Sequence, residues 1–225
     1  MEKLIEFCQA KYKDELGFRF SLSNLFTIIL FISCIYLRST PENQALISGL
    51  NSIKIKTLID MEDGIIPSLT LMQSIYSVAF MILIVWLSRK LSEGLFYLFS
   101  LKSDFQKTII DITITYSASQ ENAAAKKELG ISGKSTLERN QKKSNRTRGL
   151  AEIFLTTGTA NLILFDQNLS NFAISIINIT IYLAITWKSF HFFISDILPY
   201  YVAIKYSNNE LTDLRSSFND SQKSN

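Results

Sequence analysis

Histidine and cysteine are nearly missing from this sequence, with one histidine (His191) and two cysteines (Cys8 and Cys34) in 225 residues. A lone imidazole cannot build a multi-histidine metal site, and with Cys8 expected in the cytoplasm and Cys34 within the membrane neither a disulfide nor a CxxC motif is available. His191 sits among Phe190, Phe192 and Phe193, which suits an interfacial ring. Asp196 follows five residues later, off the face that a close helical partner would need. These shortages argue against an enzyme, and no cofactor is expected.

Glycine is also scarce, with eight in the chain, and this decides the meaning of GISGKSTLERN at residues 130–140. Gly133-Lys134-Ser135-Thr136 has the letters that end a phosphate-binding loop, but such a loop needs another glycine five residues before Gly133. That position is Glu128. The preceding SASQENAAAKKEL predicts a helix ending at a Gly130 cap, and the nearest strand-like run, IIDITITY at 109–116, ends more than a dozen residues earlier. SGKST is therefore expected to be a polar, basic loop.

Charge is absent over long stretches. Residues 20–37 and 65–88 contain no Asp, Glu, Lys or Arg. A charge-free run of about 18 residues or more crosses a hydrocarbon core about 30 Å thick as a helix. The first run follows a long charged leader, and CIYLRST has no A-x-A-like cleavage site, so an uncleaved anchor is expected. Two further spans are expected nearer the C-terminus. Residues 150–165 carry one acid, Glu152, with Thr156, Thr157, Thr159 and Asn161, while 172–187 is uncharged and extends to 194 if Lys188 and His191 snorkel.

The expected fold class is all-α: a polytopic membrane protein with four transmembrane helices and a basic cytoplasmic loop. Lys and Arg set its orientation, because residues 1–19, the stretch 89–149 and the chain from Lys188 onward hold 20 of the 23. The layout is an N-terminal cytoplasmic segment (1–19), a first hairpin (20–88) with an extracytoplasmic loop (39–64), and a basic cytoplasmic loop (89–149). A second hairpin (150–194) follows, then an interfacial segment and disordered cytoplasmic tail (195–225). The segment 89–102 reads as a continuation of the second span, with Leu91, Leu95, Leu98 and Phe99 on one face. The aromatic run after Lys188 reads as a surface helix broken near Pro199.

Two features are candidate contact sites. Thr70, Gln73, Ser74 and Ser77 in the second span, and Asn171, Ser175 and Asn178 in the fourth, form stripes at helical spacing and matching depth. Either the two spans pack through them or several subunits line a polar path. With Glu152, one turn from Arg148, the candidate intramembrane contacts are Gln73, Ser77, Glu152 and Asn178. The stretch 126–148 holds eight basic residues against Glu128 and Glu138. Lys142, Lys143, Arg146 and Arg148 form its candidate partner- or lipid-binding cluster. No direct nucleic-acid binding is expected, since stacking aromatics are not interleaved there. The expected partners are the lipid bilayer, further copies of the chain and a soluble cytoplasmic protein.

A small chain of four spans with both termini inside, a basic loop and no catalytic motif resembles, in layout, the membrane subunit of the Kiwa antiphage system. Its wealth of Lys, Asn, Ile, Phe and Ser, with little Gly and Pro, resembles the AT-rich genes of bacterial defence islands. The resemblance implies an oligomer of the bacterial inner membrane that responds to phage and works with a soluble DNA-binding effector. The basic loop and tail would be its docking surface. Immunity proteins against pore-forming colicins share this layout, and an oligomeric membrane channel is the third class to weigh.

Overall fold

The computed structural model describes residues 2–17, 20–39, 46–60, 64–100, 123–166 and 168–207, and among them the regular structure is all helical. The elements are α1 (Glu2–Glu15), α2 (Leu22–Ser39), α3 (Leu46–Ser52), α4 (Ile55–Ile59), α5 (Leu71–Ser100), α6 (Ala123–Leu164) and α7 (Leu169–Phe192). A π-helical turn (Phe193–Ile197) and α8 (Leu198–Ser207) complete the order. Among the described residues three helical stretches are long and apolar enough to cross a membrane: Leu22–Ser39, Leu71–Phe99 and Leu169–Lys205. Residues 150–165 are not among them, because Glu152 and a run of Thr and Asn lower their hydropathy. The expected strand-like segment at 109–116 and the tail after 207 lie outside the described residues.

The chain divides into two units. One is built from Phe18–Lys90 and Arg146–Thr186. Within it the helices form a closed ring of neighbours. Phe31 of α2 stacks on Phe80 of α5 with ring centroids 3.8 Å apart. The Tyr182 hydroxyl of α7 lies 3.4 Å from both the carbonyl and the hydroxyl oxygen of Ser88 on α5. Gly158 of α6 approaches α7 so closely that an added Cβ would stand 3.1 Å from Ile179 Cγ1 and 3.3 Å from the Ser175 carbonyl oxygen. Gly149 of α6 is tighter still against α2, where an added Cβ would lie 2.8 Å from Ser23 Cβ.

Local chemistry fixes where these helices begin. Thr70 and Gln73 form a capping box at the start of α5: the Gln73 N–H donates to Thr70 Oγ1 at 3.2 Å, and the Thr70 N–H donates to Gln73 Oε1 at 2.9 Å. Asn168 caps α7 by accepting the Asn171 N–H at 2.8 Å.

The other unit comprises Met1–Gly17, Leu91–Asn145 and Trp187–Asn225. Its core is aromatic: Tyr12 of α1 stacks on Phe96 of α5 at 5.2 Å and meets Phe193 edge-on at 4.9 Å. Cys8, Leu16, Leu137, Ile197 and Leu198 close around them. The segment expected to lie on a surface and break near Pro199 is instead part of this core, with Phe193, Ile197, Leu198 and Val202 all buried. Pro199 has no N–H to continue the α-helical ladder. The chain accommodates it by a π turn in which the Leu198 N–H donates to the Phe193 carbonyl, and Asn140 of α6 donates to the Asp196 carbonyl at 2.7 Å.

One further expectation is corrected. The stretch holding SGKST is not a loop, since α6 runs unbroken from Ala123 through Gly130 and Gly133 to Leu164. Leu137, Asn140 and Gln141 anchor the helix, so tertiary packing outweighs a glycine cost of about 1 kcal/mol each. On α5 the inward face beyond residue 90 carries Ser92 and Phe96, while Leu91 and Leu98 are exposed.

Candidate functional site

The unit formed by Phe18–Lys90 and Arg146–Thr186 buries polar side chains beside its apolar core while leaving large apolar side chains exposed. Ser77, Thr156, Asn161 and Ser175 are each 0% exposed, whereas Leu71 is 77% and Leu169 87% exposed. Buried polar groups need partners, and here most find them on their own helix. Ser77 Oγ donates to the Gln73 carbonyl at 2.8 Å, Thr156 Oγ1 to the Glu152 carbonyl at 2.8 Å, and Asn178 Nδ2 to the Ile174 carbonyl at 2.8 Å. Asn161 crosses between helices: its Nδ2 donates to the Asn171 carbonyl at 2.6 Å and to Ser175 Oγ at 2.8 Å.

The residues expected to meet within the second and fourth spans are therefore placed differently from one another. Gln73 is committed to the α5 capping box, and Asn178 is half-buried beside Gly158. The Asn171–Ser175 stripe of α7 bonds to Asn161 of α6. Glu152 is buried in α6, with the charge of Arg148 one turn away attracting it.

The basic cluster is also sorted by the fold. Lys142, Lys143 and Arg146 are exposed on α6, while Arg148 is half-buried on the Glu152 side. Arg139 stands at i, i+3 and i+4 with Lys142 and Lys143, which places three cations of one unit on one helical face, while Arg146 belongs to the other unit. Lys143 Nζ stands 4.7 Å from the centre of the Phe192 ring, a cation–π contact that ties this face to the aromatic core.

Sequence reasoning missed the polar pin of the second unit. Tyr201 Oη and Gln141 Nε2 both donate to Glu15 Oε1 at 2.5 Å, and Gln141 Nε2 also donates to Tyr201 Oη at 2.9 Å. Three helices meet there from positions 126 and 186 residues away from Glu15, so no local pattern announces the cluster. The capping box did have a local signal, Thr-x-x-Gln before an apolar run.

No family model, curated protein or solved structure matches the chain.

Proposed function

We propose that the protein is a multi-pass scaffold or sensor subunit of the bacterial inner membrane, serving an antiphage defence complex. It crosses the bilayer four times and holds a folded helical unit in the cytoplasm for a soluble effector. One observation carries the proposal: the chain combines two opposite kinds of packing. One unit buries Ser, Thr and Asn side chains beside its apolar core and exposes Leu, Ile and Phe; the other has an aromatic core and exposes Lys13, Lys142 and Lys143 as well as Tyr97 and Leu98. Lipid suits the first exterior and water the second.

The fourth crossing is assigned to 150–165. This part of α6 has α2 and α7 as neighbours, so its Thr and Asn side chains turn toward other helices and need less hydropathy than a lipid-facing span. With four crossings, the excess of Lys and Arg puts both termini in the cytoplasm. The row Arg139, Lys142 and Lys143 then becomes a cationic face offered to an acidic surface on the effector. Assembly of several copies fits a sensor that transmits a signal across the membrane plane.

The channel alternative takes a lower place because the interior hydroxyls donate to the backbone one turn back, which favours packing over an ion path. The test is a tagged pull-down from cells carrying the neighbouring genes, repeated with Arg139→Glu and Lys142→Glu together, and followed by phage challenge. Loss of both partner capture and protection at unchanged membrane yield supports the proposal. Equal capture by the variant, or no protection from the intact gene set, overturns it. Protection against a pore-forming colicin by this gene alone would assign the protein to the immunity class instead.

A further inference from the structure

Between α2 and α5 the short helix α4 presents Ile55 and Ile59, at i and i+4, to the outside with exposures of 76% and 63%. Few soluble surfaces leave two adjacent isoleucines so bare beside a third, Ile66. Exposed Lys54 and Lys56 flank the pair, and neither is in an ion pair among the described residues. The patch is held in place rather than dangling. The Ile65 N–H donates to the Thr57 carbonyl at 2.9 Å and the Ile66 N–H to the Leu58 carbonyl at 3.1 Å, which ties α4 to the chain entering α5. Leu46 and Leu50 of α3, with Ile53, pack into the core of the same unit. The first turn of α5 continues the apolar exterior through Leu71 and Met72.

We propose that α4 is an interfacial foot that rests on the outer leaflet, with Ile55 and Ile59 entering the acyl boundary and Lys54 and Lys56 at the lipid phosphates. The occupant is a phospholipid surface. The argument for it is the continuity of α4 with the apolar exterior of α5 and the pair of cations at the edge of the patch, an arrangement that suits headgroups above acyl chains. The foot rests on the membrane assignment made above. It adds an element that two backbone hydrogen bonds tie to Ile65 and Ile66, in the turn that precedes α5.

The test places tryptophan at the foot. Ile55→Trp is made in a Trp86→Phe/Trp187→Phe background and reconstituted in phosphatidylethanolamine/phosphatidylglycerol vesicles, with and without lipids brominated near the headgroup end of the chains. A separate Trp187→Phe protein keeps exposed Trp86 as the control for α5. The foot predicts blue-shifted emission from residue 55, quenched by the brominated lipid to an extent comparable with Trp86. Water-like, unquenched emission from residue 55 while Trp86 is quenched overturns the foot alone. Blue-shifted but unquenched emission also overturns it, because protein rather than lipid then covers α4. Failure to quench Trp86 overturns the membrane assignment itself. Ile59→Trp, on the same face, repeats the measurement should Ile55→Trp lose helicity.

Discussion

Asn161 shows how one amide organises a helix pair. It is fully buried and donates to two acceptors on α7, the Asn171 carbonyl and Ser175 Oγ. Asn161→Ala should lower stability by about 0.6–1.7 kcal/mol, the range for polar bonds between membrane helices, read from the unfolding midpoint in detergent. Tyr201→Phe acts on the other unit. It removes a donor to the buried Glu15 carboxyl group and should cost about 1–3 kcal/mol, visible as a lower melting temperature in circular dichroism.

Cys8 makes a pH prediction. Burial pushes its thiol from 9.0 up to about 12. The folded protein therefore keeps this proton above pH 9, where the unfolded chain releases it, so the folded state binds more protons in that window. Stability should be unaffected by this group below about pH 9 and fall between there and about pH 12. At pH 8, maleimide labelling of Cys8 should be slow in the native protein and fast in denaturing detergent; rapid native labelling would contradict the burial.

At the scale of the element, α6 decides most of the architecture. It spans 42 residues, about 63 Å at 1.5 Å per residue, and contains four glycines in its interior. Two of them do visible packing work: Gly149 admits Ser23 of α2, and Gly158 admits Ile179 and the backbone of α7. Gly158→Leu should force the α6–α7 pair apart and cost about 1–3 kcal/mol, whereas Gly158→Ala needs only a few tenths of an ångström of movement by Ile179. Melting both variants beside the parent protein checks the ordering. From sequence, Gly130 and Gly133 pointed to a helix end, since glycine is the usual terminator. They failed as signals because the reward for continuing lies in distant partners, Phe192 under Lys143 and Asp196 beside Asn140.

The π turn teaches the same lesson. Pro199 was legible as an interruption, but whether the chain would break or shift register depended on the buried positions of Phe193 and Ile197 and on the donor from Asn140. For the candidate contacts, helical spacing grouped Gln73 with Ser77 correctly on one helix. Spacing could not show that Gln73 is spent on a cap and that Ser175 finds Asn161 rather than α5.

For the whole molecule, the decisive measurement is topology. A reporter fused at residue 140 should be active only in its cytoplasmic form, and the protein should stay with membranes through alkaline carbonate extraction. An external signal at 140 would reverse the proposed orientation and remove the effector from reach of the basic face.

Composition by itself determined that this chain builds helices apolar enough for a bilayer. Uncharged runs at 20–37 and 65–88 fix that through transfer energy, which is a property of residues one at a time. Which helices pair, which polar atoms are spent inside, and that a basic stretch becomes a continuous helix were decided only by tertiary structure. The physical reason is that cross-helix hydrogen bonds and close glycine contacts join residues far apart in the chain, so their energy appears only once the helices have met.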